Sequence, residues 1–163
     1  DSPYILALLD SAGSPIWHGL ARADFPTQTN EGDVGQTTSI KHALVDFDGD
    51  GAFEIASAGY GDGVRAIDPR DGKVLWSLAV PAPTCPRVVA ANIDGRRGDE
   101  LLFVAGDRLL AVTGDRKSGR LLWEWRGPNQ LSMPIIADVD GDGLAEILLV
   151  SAAGTLHCLD SPP

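Results

Sequence analysis

The sequence predicts an all-β chain built from four-stranded antiparallel units that recur every 46 residues. Three observations carry this reading. An acidic nine-residue segment occurs at Asp46–Glu54, returns at Asp138–Glu146, and stands in altered form at Asn92–Glu100. Short apolar runs flank each copy and read as buried strands. A Gly-x-x-x-Trp segment occurs at Gly13, Gly72 and Gly119. No stretch carries helical periodicity with caps.

The elements follow in order. Tyr4-Ile5-Leu6-Ala7-Leu8-Leu9-Asp10 and Gly13-Ser14-Pro15-Ile16-Trp17 form two strands across a glycine turn, within residues 1–18. The stretch from Gly19 to Gln36 interrupts the repeat. Trp17 and Trp76 are 59 residues apart, whereas Trp76 and Trp123 are 47 apart. The added residues fall in the polar run Phe25–Asp33, read as a connector or as a binding loop on a rigid frame. The first whole unit, 37–80, reads Ala43-Leu44-Val45, acidic loop, Ile55-Ala56-Ser57-Ala58, Val64–Asp68, then Gly72–Trp76. The second, 86–127, repeats the scheme through Leu109–Val112 and Gly119–Trp123. The third, 132–160, runs from Ile135-Ile136-Ala137 to Thr155–Asp160 and has no Trp strand. Four strands in about 40–50 residues is the pattern of a β-propeller blade. About three blades are too few for a closed ring, so a partial ring, or one completed by several chains, is expected. The Trp residues are expected to seal neighbouring units. Trp125, two residues after Trp123, is read as core or as something particular to that unit.

The acidic loops carry the chemistry. Asp46, Asp48 and Asp50 stand at positions 1, 3 and 5, and Glu54 at position 9. Asp138, Asp140, Asp142 and Glu146 repeat that spacing. Carboxylates so spaced in a tight loop can converge on one point, and glycine at position 6 permits the turn. Dense oxygen donors suit Ca²⁺ better than Mg²⁺, and the absence of Cys and His disfavours zinc or copper. An EF-hand needs Glu at position 12; here that position holds Ser57 or Leu149. The loop therefore joins two strands, not two helices. In the middle copy, Asn92, Asp94 and Glu100 remain, but Arg96 stands where the others have Asp. A guanidinium there would repel Ca²⁺. The expectation is a metal-free loop in which Arg96 pairs with Asp94 or Glu100.

These loops resemble those of FG-GAP and VCBS-type calcium-binding propellers, the group that includes the integrin alpha-chain head and many bacterial surface proteins. The resemblance implies two Ca²⁺ sites. Side chains at positions 1, 3, 5 and 9 and the carbonyl at position 7 would be ligands. It names Asp46, Asp48, Asp50, the Ala52 carbonyl and Glu54, and likewise Asp138, Asp140, Asp142, the Leu144 carbonyl and Glu146. Position 9 is Glu here where Asp is common in the family. The spacing Ala66-x-Asp68-x-x-x-Gly72-x-x-x-Trp76 is more weakly similar to the tryptophan-docking motif of quinoprotein dehydrogenase propellers, where it is structural.

At 163 residues the chain has the length of one domain, and its net charge is −10. The two intact loops account for eight carboxylates, and two divalent ions would offset four of the ten charges. No basic patch with interleaved aromatics points to nucleic acid, and no apolar run is long enough to span a membrane. Weak calcium loops suit compartments rich in calcium, so an extracellular, cell-surface or periplasmic place is expected. Cys158 reads as a small buried residue; a disulfide with Cys85, in the Pro-rich run Pro81–Pro86, is the alternative. His18, His42 and His157 show no ligand spacing, and no nucleophile elbow or phosphate loop occurs. The expected function is a calcium-stabilised propeller module for extracellular binding, adhesion or assembly, without catalysis. Its partner would be a protein or glycan, or further copies of the chain. Two alternatives stand beside it. One is a fragment of a propeller enzyme, resembling polysaccharide lyases; the other is a structural subunit that completes a ring by oligomerisation.

Overall fold

A computed structural model describes residues 4–21, 41–59, 63–80 and 87–160. The interrupting stretch around Phe25–Asp33, and Cys85 with its Pro-rich run, lie outside the described residues. All regular structure among the described residues is β-strand.

The strands form four antiparallel sheets in which each strand pairs with its neighbours in sequence. The opening pair is β1 (Tyr4–Leu9) with β2 (Pro15–Ala21). The first four-stranded sheet is β3 (Lys41–Val45), β4 (Glu54–Gly59), β5 (Gly63–Ile67) and β6 (Val74–Leu78). The second is β7 (Arg87–Ala91), β8 (Glu100–Ala105), β9 (Arg108–Gly114) and β10 (Gly119–Arg126). The third sheet has three strands, β11 (Ile135–Ala137), β12 (Glu146–Val150) and β13 (Leu156–Leu159). Equivalent strands carry equivalent residues: each acidic loop joins the first two strands of its sheet.

The sheets stack face to face, and the middle one is covered on both sides. Side chains alternate across a strand, so β8 and β9 feed two cores. Leu101, Phe103, Leu110 and Val112 pack with Val45, Phe47, Ala56, Val64 and Ala66 of the first sheet. Leu102, Val104, Leu109 and Ala111 pack with Ile147 and Leu149 of the third. Burial on both faces explains why β8 reads as an unbroken apolar run, Leu-Leu-Phe-Val-Ala, and not as an alternation.

Tryptophan joins sheet to sheet in two places. Trp17 Nε1 donates to the Pro69 carbonyl at 2.7 Å, and its ring covers Gly72. Trp76 Nε1 donates to the Asp115 carbonyl at 2.7 Å, and its ring covers Gly119. A methyl group on Gly72 would lie 2.6 Å from Trp17 Cε3, and one on Gly119 would lie 2.6 Å from Trp76 Cε3. The Gly72–Trp76 segment thus does both: it supplies a ring to the next sheet and a bare backbone to the ring before it. Trp125 packs in the second core, its ring 5.3 Å from that of His157.

Cys158 departs from expectation. It lies on the outward face of β13, where it is exposed and free. The inward positions of that strand are His157 and Leu159, and a two-residue period places Cys158 opposite them.

Candidate metal centre

Three loops occupy the same junction, between the first and second strands of their sheets. Their local folding comes from Asp side chains bonding backbone amides a few residues ahead. In the first loop, Asp46 Oδ2 accepts the Gly51 amide at 2.8 Å, and Asp50 Oδ1 accepts the Ala52 amide at 2.7 Å. In the third, Asp138 Oδ2 accepts Gly143 N at 3.1 Å, and Asp142 Oδ1 accepts Leu144 N at 2.8 Å. Gly51 and Gly143 both adopt φ of 90°, a conformation costly for other residues. Positions 4 and 6 both need this freedom, since Gly49 and Gly141 also have positive φ.

The loops bring together most, not all, of the expected carboxylates. Ligand atoms of Asp46, Asp48 and Asp50 lie within 4.8 Å of one another. So do those of Asp138, Asp140 and Glu146. Glu54 is absent from the first group and Asp142 from the third. Glu54 is fully buried at the start of β4, where Arg116 Nη1 donates to its Oε1 at 2.8 Å. Asp142 turns its Oδ1 to the Leu144 amide.

The two position-9 glutamates carry the test of fit for a cation. Glu146 is 3% exposed; its Oε2 accepts the Val139 amide at 2.6 Å, and its Oε1 has no hydrogen-bond partner. Glu54 Oε2 is likewise buried and unpartnered. Leaving a charged oxygen buried without a partner costs several kcal/mol unless a cation or proton meets it. Burial raises the Glu54 carboxyl above its ordinary range, with Asp48 and Asp50 pushing the same way and the Phe47 amide and Arg116 opposing. A hard divalent cation meets both needs, and the all-oxygen donor set fits one.

The middle loop is organised differently. Arg96 Nε lies 3.8 Å from Asp94 Oδ2, but its side chain is 74% exposed, so this pair contributes little. The loop is held instead by Asn92, whose amide nitrogen donates to the Arg96 carbonyl and, at 2.7 Å, to the Gly98 carbonyl. An amide group thus does locally what a cation would do for an Asp. The Arg96–Asp94 pair expected from the sequence is present, and the Asn92 bonds are added to it; Asn in place of Asp at position 1 is the signal for them. The middle loop also clasps the first. Asp99 N donates to the Asp46 carbonyl at 2.7 Å, and Arg97 Nε to the Gly49 carbonyl at 3.0 Å.

Glu100 in this loop is buried and accepts the Ile93 amide at 3.1 Å. Burial pushes its carboxyl above the usual range; the Ile93 amide and Arg96 oppose, while Asp94 and Asp99 add to the rise. The charged form therefore costs the folded state, and that cost applies above the folded pKa and fades as pH falls toward 4.5. Glu100→Gln is expected to raise Tm at neutral pH, with the gain shrinking as the buffer is acidified. A variant that melts lower than the parent at every pH would mean that the carboxylate is needed in its charged form.

No family model and no curated protein sequence matches the chain. Among solved structures it is similar to the Vibrio cholerae biofilm matrix protein Bap1, with a TM-score of 0.60 and 23% identity. The match covers 98% of this chain and 23% of that one. The chain thus spans about a quarter of that neighbour's length, and at this identity the likeness concerns the fold. Among the described residues no helix is long and apolar enough to cross a membrane.

Proposed function

We infer that this chain is a calcium-stabilised segment of a β-propeller, working outside the cell in binding, adhesion or assembly and carrying no catalysis of its own. The observation that carries the metal is the buried, unpartnered Glu146 oxygen set against Asp138 and Asp140. Asp138, Asp140 and Glu146 would hold one Ca²⁺, with Asp142 and the Leu144 carbonyl in reach of the same loop. Asp46, Asp48 and Asp50 would hold the other, with the Ala52 carbonyl and Glu54. The ions supply charge balance that lets these loops join buried strands; the side chains shape the turns. The propeller reading is supported by repeated four-stranded sheets packed face to face, each tied to the next by a docked Trp. The biofilm-matrix role of the structural neighbour accords with an extracellular setting.

One observation favours assembly as the working mode. The outer face of the third sheet presents Ile135, Leu148, Val150 and Leu156, with Ile135 and Leu156 both more than 60% exposed. In the first two sheets the equivalent face is covered by the next sheet. A further sheet of the same repeat would cover the face. The direct test of the metal reading counts calcium ions on the chain: two are expected.

A further inference from the structure

Glu54 and Glu146 occupy the same position in their loops but meet different neighbours. Glu146 keeps one oxygen for its own loop's amide and offers the other to Asp138 and Asp140. Glu54 also leaves one buried oxygen, Oε2, without a partner, but its Oε1 is drawn the other way. Arg116, on the turn between β9 and β10 of the adjacent sheet, donates from Nη1 to Glu54 Oε1 at 2.8 Å and from Nη2 to Asp68 Oδ2. Asp68 follows β5, the strand beside β4, so its carboxylate and that of Glu54 sit side by side. Arg70 closes the cluster from outside, with Nη2 2.8 Å from Asp68 Oδ2. The Arg116 side chain is largely buried, at 27% exposed, and Glu54 is fully so.

We propose that Arg116 makes the two calcium loops unequal, holding Glu54 in an inter-sheet ion pair and so weakening the first loop's cation site relative to the third. The inference rests on the calcium reading above. Three physical effects point the same way. A carboxylate whose charge is shared with a guanidinium is a poorer metal donor, even through its free oxygen, than one paired with a neutral amide. A fixed positive charge next to the site repels a divalent cation. Freeing Glu54 would leave the partly buried Arg116 guanidinium with Asp68 alone, at a cost in lost pairing. The grouping of carboxylates agrees: Glu146 stands with its aspartates, and Glu54 does not. Arg116 also substitutes for the ion in part. It tethers the first loop's sheet to the next without metal, whereas the third loop's glutamate has only its own backbone amide.

The test is calcium titration by isothermal calorimetry on the full chain. Asp140→Asn leaves the first loop intact, and Asp48→Asn leaves the third. The Asp140→Asn protein is expected to bind calcium about tenfold or more weakly than the Asp48→Asn protein, the scale of one close charge pair. Adding Arg116→Met to Asp140→Asn should recover about tenfold in affinity, since Met keeps the apolar stem and removes the charge. Equal affinities in the two single variants, or weaker binding on adding Arg116→Met, overturn the proposal and leave the calcium reading standing. If Arg116→Met does not fold, the comparison of single variants decides alone. No calcium heat from the unaltered chain would overturn the calcium reading itself, and this proposal with it.

Discussion

Phe103→Ala is expected to remove about 3–5 kcal/mol of stability, the cost of emptying a fully buried aromatic site. Phe103 lies at the middle of β8 with no exposed surface, in the core shared by the first and second sheets. Its neighbours come from two sheets, so no single strand can shift to fill the gap. A domain of ordinary stability, about 5–15 kcal/mol, would lose a large share. Urea unfolding should show a lower midpoint with an unchanged slope. Leu44→Ala is the control: Leu44 is 61% exposed in β3, and its truncation is expected to cost about 0.5 kcal/mol or less. Equal losses at the two positions would mean that the sheets do not share a packed core in solution.

Removal of calcium is the second large effect expected. An ion that binds only the folded chain stabilises it by ~2.7 kcal/mol per site when its concentration is a hundredfold above Kd. Chelation should therefore lower Tm, and two loops should contribute separately. Asp140→Asn should reproduce part of the loss in calcium buffer. In chelator the same variant should melt no lower than the parent, because it also relieves repulsion among Asp138, Asp140 and Glu146. A melt that ignores chelator would remove the structural role assigned to the ions.

What could be read from the chain and what could not divides along sequence distance. The acidic loops were legible because Asp46, Asp48 and Asp50, or Asp138 and Asp140, are close neighbours whose turn forces convergence. The strand boundaries were legible because apolar runs are bounded by glycine and aspartate turns. The inter-sheet role of Trp17 and Trp76 was legible because Gly-x-x-x-Trp recurs. The fate of Glu54 was not, since Arg116 lies 62 residues away and has no counterpart in the other repeats. The clasp of Arg97 on Gly49 is hidden for the same reason, across 48 residues. The Arg96–Asp94 pair expected from the sequence is present but exposed, whereas the hold of the neutral Asn92 amide on the Arg96 and Gly98 carbonyls depends on a loop conformation that charge pattern does not show. Cys158 was misplaced by one face, which a two-residue period decides only once the inward set is known.

The most direct measurement is native mass spectrometry of the chain in calcium buffer. Two calcium ions per chain are expected, with Asp48→Asn and Asp140→Asn each losing one and the middle loop contributing none. A chain that carries no calcium, or that keeps both ions after either substitution, would contradict the calcium reading.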